Sequence, residues 1–214
     1  MTSPVDVYLF RHSQSRANLA PHIVGGRSNH SPLSELGVLQ SQELGLYIAD
    51  NIDSPDLVFA SPAVRTVSTA TIALESAGLQ RHIFIDDRLQ ELHQGEAEGK
   101  SRDSIYTPDL FARIEREGMD FKHKGGQSLN ELGKQGIDWL NDTYEKTLRD
   151  YGVAYVFGHG MAIRSLVGRI VGWNHVQIYQ AKTPNTCVTK ISGSPGAWSV
   201  ELFAQNTHSS VLTN

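Results

Sequence analysis

The chain has 214 residues with a net charge of −4, and its 39% hydrophobic and 20% charged residues are typical of a soluble globular domain. The acidic charge disfavours a nucleic-acid binder, the single cysteine excludes both a disulfide framework and a zinc site built on several thiolates, and no apolar run is long enough to span a bilayer. The first residues lack the basic start and apolar core of a signal peptide, so we expect a cytoplasmic protein with one domain over residues 1–214 and no membrane partner.

Short apolar runs alternate with helical patterns along the chain. The runs predict buried strands at residues 5–10, 57–60, 83–85 and 153–157, and a late pair of strands at residues 186–191 and 198–203. Strands that are separated by helices indicate βαβ units. The predicted fold class is therefore α/β, a three-layer α/β/α sandwich with a mainly parallel sheet.

Capping residues mark the predicted helix starts. Ser34 precedes one amphipathic pattern, and Ser61, followed by a proline, predicts a second helix start. Ser128 and Glu131 have the spacing of a capping box and predict a third, long helix. A fourth helix is expected over residues 161–171.

The segment from about residue 100 to residue 127 is charged and has no clear periodicity. We therefore interpret it as an irregular insertion or lid within the single domain.

Chemically useful residues follow four of the predicted strands. Arg11 and His12 follow the first strand, Arg65 the second, Glu91 the third and His159 the fourth. Because ligands bind at the carboxyl ends of parallel strands, we expect these side chains to meet at one edge of the sheet. Arginine matches phosphate oxygens, histidine can act as a nucleophile, and glutamate can protonate a leaving oxygen. The set favours phosphoryl transfer through a phosphohistidine.

The motifs around these residues resemble those of the histidine phosphatase superfamily, the phosphoglycerate mutase-like group. Arg11, His12 and Ser13, with Asn18 six residues after the histidine, are similar to its Arg-His-Gly signature. Further similar segments occur in the family's order over essentially the whole chain, at residues 26–37, 61–70, 89–99, 125–128 and 158–160.

The resemblance implies a phosphoglycerate mutase-like fold and a role for each site residue. His12 would attack phosphorus and become phosphorylated, and Glu91 would protonate the leaving alcohol and later activate water. The catalytic set would be completed by His159. The phosphoryl oxygens would be held by Arg11, Asn18, Arg65 and His159.

No metal or cofactor is expected, because the cationic side chains neutralise the developing charge. A small phosphorylated metabolite is the expected substrate, and its identity stays open. The oligomeric state is also open, and a homodimer is one of the arrangements allowed.

Two alternatives to a phosphatase stay open. Ser13 replaces the family's usual glycine, and its side chain could crowd the phosphate or bond to it, which motivates a catalytically inactive phospho-ligand-binding module. Mutase-type phosphoryl transfer is the other alternative. Hydrolysis is favoured because only 34 positions separate Glu91 from Gly125, too few for the long insertion of the phosphoglycerate mutases, and because the Glu-Arg-His-Tyr run of those mutases is missing.

Overall fold

The computed structural model describes residues 4–206, and within them one mixed sheet forms the centre of the molecule. Its strands are β1 (Val5–Arg11), β2 (Leu57–Ala60), β3 (Ile83–Ile85), β4 (Val153–Gly158), β5 (Val188–Gly193) and β6 (Ser199–Gln205). Their order across the sheet is β3-β2-β4-β1-β5-β6. The first four strands run parallel, and β5 and β6 continue the sheet in antiparallel pairing. The predicted mainly parallel sheet is confirmed.

The strand predictions differ from the structure mainly in the late pair. The strand predicted from Thr186 begins at Val188 instead. Thr186 has a φ of +61°, and the Cys187 amide donates to the Pro184 carbonyl oxygen at 3.2 Å. This tight turn precedes β5, because a residue in the left-handed region cannot continue an extended strand.

Helices cover both faces of the sheet. They are α1 (Glu35–Asn51), α2 (Val64–Ser76), α3 (Arg102–Ile105), α4 (Pro108–Glu117), α5 (Leu129–Lys146), α6 (Gly160–Val171) and α7 (His175–Gln180). None of the helices in residues 4–206 has the length and apolar character needed to cross a membrane.

Alternation along the strands divides the core into two apolar clusters. Phe10 and Phe157 point to the face that α1 and α2 cover, where they join Leu44 of α1. Val156 points to the opposite face and packs with Trp139 of α5. Because neighbouring strand residues face opposite sides, each strand contributes to both clusters, and the three-layer α/β/α arrangement is confirmed.

Two of the predicted helix caps are present. The Ser34 side chain accepts a hydrogen bond from the Gly37 amide at 3.0 Å at the start of α1. At the start of α5, the Ser128 hydroxyl accepts from the Glu131 amide at 3.1 Å, and the Glu131 carboxylate accepts from the Ser128 amide at 2.9 Å. These bonds satisfy amides that a helix leaves unpaired in its first turn.

The predicted cap at Ser61 is wrong. Helix α2 begins at Val64, with Ala63 at the N-cap position. The Ser61 hydroxyl instead lies 2.8 Å from Nε2 of His159. Ser61 therefore bonds a histidine that is close in space but distant in sequence, and it is not the N-cap of α2.

The segment 100–127 is more regular than expected. It contains α3 and α4, and α4 has Thr107 as its N-cap and a proline in its first turn. A threonine followed by a proline is a common helix start, so the sequence itself marks the beginning of α4.

Candidate active site

The two histidines meet at the carboxyl ends of neighbouring strands. Arg11, the last residue of β1, is the register partner of Gly158, the last residue of β4. His12 and His159 each follow their strand directly, and their ring centroids are 5.3 Å apart. Parallel pairing of β1 with β4 thus creates the expected pair, as the strand-end argument predicts.

Arg65 lies between the two rings. Its Nε donates to Nε2 of His12 at 3.1 Å, and its Nη2 donates to Nδ1 of His159 at 3.1 Å. The guanidinium also donates to the backbone carbonyl oxygens of Arg27 and Ser28, both at 2.9 Å. Arg65 is only 3% exposed, so water screens its charge little and the charge acts on the two rings beside it.

The partners of His12 determine its tautomer. Nδ1 lies 2.7 Å from the carbonyl oxygen of Ser13, which can only accept, so Nδ1 carries the hydrogen. Nε2 faces Nε of Arg65, which can only donate. Nε2 therefore has its lone pair available on the side of the arginine.

The partners of His159 determine the opposite tautomer. Its Nδ1 accepts from Arg65, so the hydrogen is on Nε2, which donates to the Ser61 hydroxyl at 2.8 Å. The two rings thus present different nitrogens to the same guanidinium.

Burial keeps both rings uncharged. Burial lowers the pKa of His12 well below its usual range, and the nearby charges of Arg11 and Arg65 lower it further. Burial has the same effect on the pKa of His159, followed by the influence of His12, Arg65 and Arg11. A neutral imidazole is the form that can attack an electrophile.

Arg11 provides a second cation, which is half-buried. Its guanidinium donates to the carbonyl oxygen of Thr183, and its Nε is buried with no hydrogen-bond partner among the described residues. Burial lowers the pKa of Arg11, although the group stays far from losing its proton at neutral pH. An unpaired buried donor beside two neutral imidazoles is suited to an anion.

Glu91 lies at the start of α6, beside the histidines. Its carboxylate accepts from the amide of Met161 at 3.1 Å, from the amide of Ala162 at 3.0 Å and from the amide of Leu92 at 2.9 Å. Its charge acts on both Arg11 and Arg65. The helix N-terminus therefore positions a carboxylate at the edge of the cationic space.

The side chain of Ser13 is engaged inside the protein. Its hydroxyl lies 2.7 Å from the hydroxyl of Ser41, which donates to the carbonyl oxygen of Gly37 at 2.8 Å. Because the Ser41 hydrogen is used there, Ser13 is the donor to Ser41. The amide of Ser13 donates to Oγ1 of Thr69 at 3.0 Å. Serine is accommodated here by a hydroxyl partner from α1.

Asn18 is engaged in a local turn. Its Oδ1 accepts from the amide of Ser15 at 2.9 Å and from the hydroxyl of Ser15 at 3.1 Å. The structure describes no contact between Asn18 and the histidines or arginines of the site. Its role toward phosphate stays a prediction.

Three further residues support the site without having been predicted. Ser61 bonds His159, and the Asn185 side chain donates to the backbone carbonyl oxygen of His12 at 2.8 Å. Arg164, one turn into α6, is half-buried and donates to the carbonyl oxygen of Gly160. Arg164 follows the His159 motif by about one helical turn, and this spacing is a sequence signal for its position near the site. Nothing in the local sequence marks Asn185.

Two cavities lie at this edge of the sheet. One, of about 760 Å³, is lined by Arg11, Glu91 and Arg164. The other, of about 740 Å³, lies between α4, α7 and the start of α6. No group of three or more histidine, cysteine or acidic side chains within residues 4–206 is arranged to hold a metal ion.

Comparison with known proteins agrees with this architecture. The solved structure of a phosphoglycerate mutase from Bacillus anthracis superposes with a TM-score of 0.81 at 21% identity, covering 97% of this chain and 96% of that one. A mycobacterial glucosyl-3-phosphoglycerate phosphatase superposes with a TM-score of 0.78 at 22% identity, covering 95% and 100%. The fold is therefore that of the phosphoglycerate mutase-like α/β proteins.

Sequence relatives define the family more closely. A profile of the histidine phosphatase superfamily (branch 1) matches residues 7–206. A 2,3-bisphosphoglycerate-dependent phosphoglycerate mutase of Rhizobium meliloti is 30% identical over 163 residues, covering 74% of this chain and 76% of the relative. A probable phosphoglycerate mutase of Photorhabdus laumondii is 28% identical over 215 residues, covering 95% and 94%. The chain belongs to the histidine phosphatase superfamily.

Proposed function

We propose that this protein hydrolyses phosphomonoesters of small metabolites through a phosphohistidine on His12. The observation that carries the proposal is the pair of hydrogen bonds on His12, in which Nδ1 donates to a carbonyl oxygen and Nε2 accepts from Arg65. They leave Nε2 unprotonated beside a guanidinium. A nucleophile and the cation that binds its target are thus adjacent.

In the first step, the Nε2 lone pair of His12 forms a bond to phosphorus as the bond between phosphorus and the alcohol oxygen breaks. The leaving oxygen receives a proton from Glu91. Arg11, Arg65 and His159 stabilise the charge on the phosphoryl oxygens. The guanidinium hydrogen that Arg65 directs at Nε2 in the free protein is then available to a phosphoryl oxygen.

In the second step, water attacks phosphorus and the bond to Nε2 of His12 breaks. Glu91 takes the proton of the water, and inorganic phosphate leaves. His12 returns to its neutral tautomer, in which Nδ1 donates its hydrogen to the carbonyl oxygen of Ser13.

Hydrolysis is favoured over mutase-type transfer by the length of the segment after Glu91. The part of the chain between Glu91 and Gly125 holds only the short helices α3 and α4 and three-residue turns. These leave open cavities beside the catalytic edge, through which water can reach the phosphoryl group. An inactive binding module is disfavoured because the hydroxyl of Ser13 is bonded to Ser41.

The test compares phosphate release with isomerisation in the same preparation. We expect phosphate release from a panel of phosphorylated metabolites to exceed the interconversion of 2- and 3-phosphoglycerate in the presence of 2,3-bisphosphoglycerate. His12→Asn should abolish the release, since it removes the nucleophile and keeps a polar side chain of similar size. Faster isomerisation than phosphate release would identify a mutase instead, and binding of the esters without turnover would identify a binding module.

A further inference from the structure

The cavity of about 740 Å³ beside the catalytic edge has a lining that the proposed chemistry does not use. We call it the ring pocket, and its walls include Tyr106, Phe111, Ile114, Met161, Val176 and Tyr179. It adjoins the cavity that contains Arg11 and Glu91, since Arg164, Tyr179 and Gln180 line both. An ester whose phosphate lies at His12 can therefore extend its alcohol portion into the ring pocket.

Aromatic rings form much of the wall of the ring pocket. Phe111 is 53% exposed and Tyr179 is 39% exposed, so both side chains leave apolar surface open to a ligand. The rings of Tyr106 and Phe111 are 6.0 Å apart between centroids and inclined by 32°. Burial raises the pKa of Tyr179 to about 12, so its ring stays uncharged. Such walls favour a flat, apolar body.

The charged groups of the ring pocket balance one another. The guanidinium of Arg102 lies 4.7 Å from the ring centroid of Tyr106, and Arg164 donates to the carbonyl oxygen of Ala181 at 2.9 Å. Two carboxylates, Asp103 and Glu115, line the same cavity as these two arginines. A charged ligand body would be attracted by one pair and repelled by the other, and would gain no net attraction to offset the loss of its hydration, so an uncharged body fits best.

The size of the ring pocket also discriminates between substrates. Cavities of about 300–1,000 Å³ are typical sites for complete small ligands. A three-carbon phosphate held at His12 would leave the ring pocket empty, and the exposed rings of Phe111 and Tyr179 would stay in water.

We infer that the ring pocket binds the alcohol portion of the substrate and selects phosphomonoesters whose alcohol carries an uncharged planar ring. The inference rests on the proposed function, because it assigns the leaving group of the same reaction. The phosphate would be held at Arg11 and Arg65, and the ring would lie between Phe111 and Tyr179.

The test uses 3-phenylpropyl phosphate and propyl phosphate, two esters whose leaving alcohols have similar reactivity. We expect kcat/KM for the phenyl ester to be at least about tenfold higher, because burying a ring removes a large apolar area from water. Equal values for the two esters would overturn the inference while leaving hydrolysis in place.

Variants locate the effect. Tyr179→Ala and, separately, the more exposed Phe111→Ala should each lower the ratio of the two kcat/KM values toward one. Tyr151→Ala removes a tyrosine that is 45% exposed and lies outside the lining of both cavities, so the ratio should be unchanged. An unchanged ratio in both pocket variants would overturn the inference.

A binding measurement separates this inference from the proposed function. If neither ester is hydrolysed, the proposed function fails, and titration calorimetry with 4-phenylbutylphosphonate and butylphosphonate still tests the ring pocket. We expect the phenyl compound to bind at least about tenfold more tightly, with the preference reduced in Tyr179→Ala. Equal affinities would contradict the ring pocket in that case.

Discussion

At the scale of single residues, Arg65 connects the two histidines and determines the tautomer of both. Since a guanidinium can only donate, the nitrogen that it meets on His12 and the nitrogen that it meets on His159 must both accept. The remaining nitrogens donate to the carbonyl oxygen of Ser13 and to the hydroxyl of Ser61. One buried cation therefore determines which nitrogen of each ring is unprotonated.

Glu91 allows a prediction about leaving groups. We expect Glu91→Gln to lower kcat/KM for alkyl phosphates by about 10²-fold or more, because alkoxide is a poor leaving group that needs a proton. The loss for nitrophenyl phosphate should be much smaller, since nitrophenolate leaves without protonation. Steady-state kinetics with the two ester types measure the difference.

Glu96→Gln is the matched control, because the Glu96 side chain is 59% exposed and pairs with Lys124 on the surface. Chemical denaturation of Glu91→Gln should accompany the kinetics, since the Glu91 carboxylate also caps α6. Equal losses on both ester types in a folded Glu91→Gln protein would remove Glu91 from the acid role.

The central cations and histidines could be predicted from the sequence, and their supporting residues could not. Arg11, His12 and His159 are adjacent to apolar strands, so the edge of the sheet brings them together. Asn185 reaches His12 from the turn before β5, and its partner depends on how β5 pairs with β1. The predicted cap at Ser61 is wrong because its local pattern matches a helix start, whereas its partner His159 is distant in sequence.

At the scale of elements, the start of α1 supports the loop that follows His12. Gly37 lies in the first turn of α1, and a Cβ atom there would overlap the backbone carbonyl oxygen of Gln14. The next turn of α1 supplies the Ser41 hydroxyl that binds Ser13. The loop after His12 is thus held directly against a helix backbone.

Gly37→Ala should destabilise the protein and lower its activity. An overlap this close with backbone costs about 2–3 kcal/mol, and the better helix propensity of alanine offsets about 1 kcal/mol. We expect a net loss of about 1–2 kcal/mol in the free energy of unfolding and a lower kcat/KM, because the loop after His12 has to move. Urea denaturation and steady-state kinetics measure both effects.

Gly152→Ala is the matched control for this substitution. A Cβ atom at Gly152 would meet only a side-chain oxygen of Asp56, at 3.7 Å. Stability and activity should therefore stay close to those of the wild type. A Gly37→Ala protein as stable and as active as Gly152→Ala would contradict the close approach of α1 to the loop.

Most elements could be predicted from local patterns, with one informative failure. Ser34 and Ser128 mark real helix starts because their partners lie three residues away in the chain. The helix α4 is not among the predicted elements, although Thr107 and Pro108 mark its start and its apolar residues have helical spacing. Local signals predict elements well where the decisive contact is also local.

At the scale of the whole molecule, the acidic net charge and the cationic site are compatible. The chain carries a net charge of −4, yet Arg11, Arg65 and Arg164 gather around one edge of the sheet. An anion is sensitive to the charges within a few ångströms, and more distant surface charges are screened by salt. The overall charge therefore says little about the ligand.

The topology was predictable in outline, whereas the ring pocket was not. Alternation of strands with helices predicts a parallel sheet, and the edge at which ligands bind follows from it. The ring pocket combines Tyr106 and Phe111 with Tyr179, which lies more than sixty residues after Phe111 in the chain. Such a pocket depends on packing between distant segments, which periodicity does not describe.

Phosphorylation of His12 is the most direct test of the proposed mechanism. The wild-type protein is mixed with a phosphomonoester, quenched in alkali over a range of short times, digested and analysed by mass spectrometry. We predict an acid-labile phosphoryl group on His12 that appears before steady-state phosphate release and is absent from His12→Asn. Turnover without phosphate on His12 at any quench time, or with phosphate on another residue, would contradict the mechanism.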